Sequence, residues 1–187
     1  AKNAASGEVV FNVNYTEAGE HTYTITEKSG TEAGVTYSTE SHTVKVTVVD
    51  NGQGQLVATV ENADAERVFT NTYKAASTSA TIKAKKVLNG KELAADAYTF
   101  ELKEKDAVVA EAKNAASGEV VFNVNYTEAG EHTYTITEKS GTEAGVTYST
   151  ESHSVTVTVA DHGQGHLVGT VVHADAERDF TNTNKAA

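Results

Sequence analysis

Residues 132–138 read HTYTITE, and their side chains alternate between two characters along the whole run. His132, Tyr134 and Ile136 share one parity, and Thr133, Thr135 and Thr137 share the other. Successive side chains of a strand point to opposite faces, so the pattern predicts a half-buried strand with one apolar side. Its β-branched residues favour that conformation. Working outward, the same alternation predicts strands near 80–88, 97–104, 107–112, 119–126, 131–138, 146–150, 153–160, 166–173 and 178–184. Turn signals separate them, among them Asn89-Gly90, Ser140-Gly141, Gly145 and the run 161–165. Many short strands at this spacing, with no long helical period, predict an all-β fold, an immunoglobulin-like β-sandwich.

HTYTITE also stands at 21–27, and the likeness extends far beyond it. Ala1–Ala76 aligns without a gap on Ala112–Ala187; the first 42 positions are identical and ten of the 76 differ. Near-identity of adjacent copies marks immunoglobulin-like repeats in tandem. The expected division is a repeat at 1–74 lacking its first two strands, a linker at 75–79, and a complete repeat at 80–187. One reading makes the chain a piece of a longer array. Another completes residues 1–74 by strand donation from another chain. Without its first two strands the first copy is expected to expose apolar edge and core surface.

Composition narrows the function. Acidic residues outnumber basic ones by 26 to 15, for a net charge of −11. Nucleic acid and anionic membranes call for the opposite sign, so neither is an expected partner. No apolar run is long enough to span a bilayer, so no membrane insertion is expected. The absence of cysteine excludes disulfides, thiolate catalysis and cysteine-ligated metals. His162, His166 and His173 surround one hairpin, but Asn51, Gln55 and Asn62 replace them in the first copy and no ligand set is complete. No metal and no cofactor is therefore expected. His21 and His132 lie on the core-facing parity, where a hydrogen-bonded histidine at a strand end is expected. Asn14-Tyr15-Thr16 and Asn125-Tyr126-Thr127 match the glycosylation acceptor pattern, a tripeptide common by chance. There is no phosphate loop and no nucleophile–histidine–acid arrangement for an enzyme acting on an external substrate.

Three polar residues break the parity. On the first strand of the complete repeat the apolar series Ala80, Ile82, Ala84 continues to Lys86 and Leu88. Glu138 follows Ile136, and Asn182 follows Phe180. The first copy repeats the last two as Glu27 and Asn71. Burying one such group alone costs about 1–3 kcal/mol for an amide and several for a charge. The cost falls if the three meet. Burial favours the neutral, nucleophilic form of a lysine amine and the protonated form of a carboxyl. Beside an asparagine amide, such a pair supports attack on the amide carbon and proton relay to departing ammonia. The expected product is an isopeptide bond from Lys86 to Asn182 with Glu138 as catalyst, a single-turnover event held in place by the fold.

The segments KAKKVLNGKEL, AYTFELKE, GEVVFNVNYTEAGEHTYTITE, GVTYSTESHSVTVTV and the closing FTNT resemble streptococcal-type pilin isopeptide-linkage domains of Gram-positive surface proteins. The resemblance implies a reactive lysine on the first strand, at Lys86, with Lys85 adjacent and Lys83 close. It implies catalytic glutamates at Glu138 and Glu27, and cross-linking asparagines at Asn182 and Asn71. No lysine strand precedes Asn71, so a bond there would need another chain or residues upstream. The implied role is a structural stalk or fibre repeat of an extracellular, cell-wall-attached adhesin or pilin, with neighbouring repeats as partners. The alternative is a ligand-binding adhesin module for a host glycan or matrix protein. The ten differences between copies fall on the last strands and the hairpin at 162, which favours spacing over recognition. A Lys86–Asn182 bond would close a loop of about 97 residues, worth roughly 4–5 kcal/mol by loop entropy.

Overall fold

The computed structural model describes residues 1–63, 65–172 and 177–185, and no helix occurs among them. The first five strands are β1 (Gly19–Thr26), β2 (Val35–Thr36), β3 (Ser41–Asp50), β4 (Leu56–Val60) and β5 (Thr72–Tyr73). Then come β6 (Thr78–Asn89), β7 (Thr99–Glu104), β8 (Ala107–Lys113), β9 (Glu119–Tyr126) and β10 (Gly130–Glu138). The last four are β11 (Val146–Thr147), β12 (Ser152–Asp161), β13 (Leu167–Val172) and β14 (Asp179–Asn184). The fold is all-β, as the alternation predicts. Two compact units form: Ala1–Thr31 with Thr36–Thr72, and Glu32–Val35 with Tyr73–Ala187.

The second unit is an immunoglobulin-like sandwich of two sheets, ordered β13-β12-β10-β7-β8 and β11-β14-β6-β9. Ile82, Phe122 and Phe180 from one sheet meet Phe100, Leu102, Tyr134, Ile136, Val155 and Val157 from the other in one core. Fully burying each such side chain is worth about 1.5–3 kcal/mol. β6 runs through the middle of its sheet, antiparallel to β9 and parallel to β14. The first and last strands of the unit thus lie side by side. A hairpin cannot join parallel neighbours; here the rest of the sandwich intervenes.

Strand limits differ from expectation mainly at 146–150, where only Val146–Thr147 forms β11. The N–H of Ser149 donates to the Asn182 side chain at 2.6 Å, which takes it out of any ladder. Ala76 bridges His166, and β6 begins two residues later at Thr78.

The first unit has a three-stranded sheet, β1-β3-β4. Its register copies the second unit: Tyr23 opposes Val44 as Tyr134 opposes Val155. The units part company at EVVFNVNY. Residues 119–126 are strand β9, whereas the identical residues 8–15 lie outside any strand. Val120 and Phe122 are 0% and 2% exposed, against 44% and 54% for Val9 and Phe11. The cause is pairing. β9 is held by β6, and backbone groups without a partner strand have no ladder to join. Residues 68–71, which match the start of β14, are likewise outside any strand. The two segments that match the neighbours of β6 therefore both lie outside any strand.

Candidate functional site

Alternation along β6 buries Ala80, Ile82, Ala84 and Lys86 and turns Lys83 and Lys85 outward. Lys83 pairs with Glu119 at 2.6 Å on the exposed face. Lys86 is thus the lysine that enters the core. Gly118, at φ +88°, packs directly against the Lys86 carbonyl, where a Cβ would collide. The Gly118 carbonyl accepts the Lys86 N–H at 2.6 Å, so this glycine allows the close approach that seats the lysine.

Lys86, Glu138 and Asn182 meet. Lys86 Nζ donates to Glu138 Oε2 at 2.9 Å and to the Phe180 carbonyl at 3.1 Å. Asn182 Nδ2 donates to Glu138 Oε1 at 2.7 Å. Both side chains of the ion pair are 0% exposed, and Asn182 is also 0% exposed. Glu138 arrives from the inner face at the end of β10, and Asn182 from the inner face of β14, one pleat beyond Phe180.

The surroundings are apolar and aromatic. Lys86 Nζ lies 4.7 Å from the centroid of the Tyr98 ring, a cation–π distance. Phe100 and Phe180 meet edge to face at 5.2 Å. Burial pushes the Lys86 ammonium below its ordinary pKa, opposed by the hydrogen bond and charge of Glu138 and by the charge of Glu151. The lysine is thereby brought nearer to its neutral, nucleophilic form. Asn182 Oδ1 accepts the Ser149 N–H at 2.6 Å. That donor polarises the amide carbonyl and faces the oxygen on which charge would develop during attack. An amine, a carboxyl and a polarised carboxamide are joined in one hydrogen-bonded chain.

Tyr98, Ser149 and the Phe180 carbonyl are additions to the sequence-derived set. Tyr98 could have been found, because it shares the buried parity of Phe100 and Leu102 on the same segment. The Ser149 contribution is a backbone N–H and has no side-chain signature.

The first unit holds half of this site. Asn71 Nδ2 donates to Glu27 Oε1 at 2.7 Å, and the Ser38 N–H donates to Asn71 Oδ1 at 2.7 Å. Glu27 Oε2, the counterpart of the oxygen that receives Lys86, is buried without a hydrogen-bond partner.

The histidines do other things. His132 Nδ1 meets Glu104 Oε1 at 2.9 Å, while His21 Nε2 is buried without a partner. His162 and His166 are exposed, and His173 lies outside the described residues. Among the described residues no group of three or more metal-ligating side chains occurs.

A family model described as FctA, the Spy0128-like isopeptide containing domain, matches residues 1–74 and 82–185. No curated protein matches the chain. Among solved structures it is similar to the major pilin protein (T3.2) of Streptococcus pyogenes serotype GAS13637. That likeness has 18% identity and a TM-score of 0.27, covering 92% of this chain and 69% of the other. The family match spans nearly the whole sequence, and the chain belongs to the Spy0128-like isopeptide containing domain family, a family of Gram-positive pilin domains.

Proposed function

We propose that the chain is a stalk or fibre module of a cell-wall-attached Gram-positive pilin or adhesin, stiffened by a self-formed isopeptide bond between Lys86 and Asn182. The observation that carries this reading is the Glu138 carboxyl, with Lys86 Nζ on one oxygen at 2.9 Å and Asn182 Nδ2 on the other at 2.7 Å.

In the proposed reaction the Lys86 ammonium passes a proton to Glu138. The neutral amine attacks Asn182 Cγ, forming the Nζ–Cγ bond, while the Ser149 N–H stabilises the charge on Oδ1. The attacking nitrogen loses a proton, and Nδ2 gains one through Glu138. The Cγ–Nδ2 bond breaks and ammonia departs. Each side chain reacts once, so the event is maturation rather than turnover.

The fold explains the benefit. β6 and β14 are parallel neighbours at the two ends of one sandwich. A covalent tie between them carries tension from terminus to terminus and leaves the remaining strands unloaded. A chain without cysteine gains in this way what a disulfide would otherwise supply. Residues 1–74 are read as a second repeat whose first two strands come from elsewhere. Its partners are neighbouring repeats and a donated strand.

Intact-mass spectrometry tests the reading. The native chain is expected to be lighter than its sequence mass by one ammonia, and Lys86→Ala to restore the full mass. An unshifted native mass overturns it.

A further inference from the structure

We infer that the Ser149 hydroxyl is a positioning group for the cross-link: it closes a short turn on Glu151 that aims the Ser149 N–H at Asn182 and so decides which end of the carboxamide leaves. The inference rests on the reading of Lys86, Glu138 and Asn182 as a cross-linking set and adds the residue that orients the amide.

The turn interrupts the sheet where its register would reach the asparagine. β11 pairs with β14 as Val146 with Asn184 and Thr147 with Thr183, so the next pair in register is Tyr148 with Asn182. That pair does not form: residues 148–151 lie outside any strand, and β12 starts at Ser152. Instead, Ser149 Oγ accepts the Glu151 N–H at 3.2 Å and donates to Glu151 Oε2 at 3.4 Å. A hydroxyl that bonds the backbone two residues on competes locally with a ladder. The Ser149 N–H is left to reach the side chain of Asn182, at 2.6 Å from Oδ1, with Ser149 only 9% exposed.

A carboxamide has one accepting end and one donating end. The Ser149 N–H engages the oxygen, and Glu138 Oε1 engages Nδ2 at 2.7 Å. Reversed, the amide would set its NH2 against an N–H and its oxygen against a carboxylate. The turn therefore keeps Nδ2 on the carboxyl that hands it a proton and Oδ1 on the donor that faces developing charge. The step is the one already written. The Nζ–Cγ bond forms, the Cγ–Nδ2 bond breaks, and ammonia departs; Ser149 gains and loses no atom.

The first unit shows that the turn is encoded locally. Residues 36–42 and 147–153 both read TYSTESH. Ser38 Oγ accepts the Glu40 N–H at 3.2 Å, and the Ser38 N–H reaches Asn71 Oδ1 at 2.7 Å. Asn71 Nδ2 again donates to the carboxyl, although Glu27 Oε2 has no hydrogen-bond partner. The orientation of the amide thus does not depend on an amine at the carboxyl.

Two measurements on the full chain test the inference. The first follows ammonia loss by intact mass after cell-free synthesis. Ser149→Ala should slow bond formation by about 10²-fold, the scale of a displacement of about 1 Å at a reacting group. Ser149→Thr keeps the hydroxyl and should restore the native rate. The second uses Lys86→Met, which cannot form the bond, and reads the Ser149 amide proton by NMR. That proton should lie downfield and be protected from exchange. Adding Ser149→Ala should move it upfield and remove the protection, and adding Ser149→Thr should not. A native rate in Ser149→Ala, equal slowing in the Ala and Thr variants, or an amide signal unchanged by Ser149→Ala each overturns the inference. The mass of the native chain reports the bond by itself, and the amide signal in Lys86→Met reports the positioning by itself, so either reading can fail without the other.

Discussion

Glu138 and Glu27 close the same seven-residue strand motif, yet only Glu138 has an ammonium on its second oxygen, that of Lys86 at 2.9 Å. The contrast shows what the lysine strand contributes. A buried ion pair is a weak source of stability, because desolvating two charges offsets most of their attraction. Glu138 and Lys86 are nonetheless fully enclosed, with an amide on the remaining carboxylate oxygen. The proposed reactive role would account for a cost that packing alone does not justify.

Glu138→Gln keeps the shape of the site but removes the group proposed to accept and relay the proton. Bond formation should slow by about 10²- to 10⁴-fold, the usual worth of general acid–base assistance. The check is a time course of intact mass after refolding. Ammonia loss at the native rate would show that Glu138 only positions its neighbours.

Asn182→Ala would prevent the proposed bond and leave the Lys86 side chain free to titrate. Burial lowers the Lys86 pKa in the folded state. Between that lowered value and the ordinary lysine value the unfolded chain binds more protons, so stability should rise with pH across this window. Below the window the full penalty for burying the ammonium remains. Urea denaturation of Asn182→Ala, compared with Asn182→Ala combined with Lys86→Met, isolates the effect. A pH-independent difference would mean that burial does not disfavour the ammonium.

Asn182→Ala should also lower stability relative to the native chain by about 4–5 kcal/mol through loss of loop closure alone. Denaturant unfolding of the second unit measures this. Equal midpoints would mean that the native chain carries no tie.

Phe122 and Phe11 have the same neighbours in sequence and opposite environments, 2% and 54% exposed. Phe122→Ala should cost about 3–5 kcal/mol as a core truncation. Phe11→Ala should stay within about 0.5 kcal/mol, as exposed substitutions do. Equal costs would show that residues 8–15 are packed in solution as β9 is.

That pair also marks how far the sequence could be read. The period-2 pattern located the strands of the second unit, and parity alone put Lys86, Glu138 and Asn182 on inner faces, with Lys83 and Lys85 outside. It could not settle residues 8–15, because a strand needs a partner and EVVFNVNY is written identically whether or not one is present. The Ser149 N–H and the shortening of β11 were out of reach for a related reason. They depend on where the Asn182 side chain ends up, which is decided by the packing of two sheets. The unpartnered oxygen of Glu27 likewise becomes visible only once both copies are folded.

The most direct test is tandem mass spectrometry of a tryptic digest of the native chain. A bond on Lys86 blocks cleavage there and should give residues 86–91 (KVLNGK) joined to residues 179–185 (DFTNTNK), less one ammonia, with fragment ions placing the branch on Lys86 and Asn182. Recovery of residues 179–185 only as an unbranched peptide at full mass, or a branch on Lys85, would contradict the account.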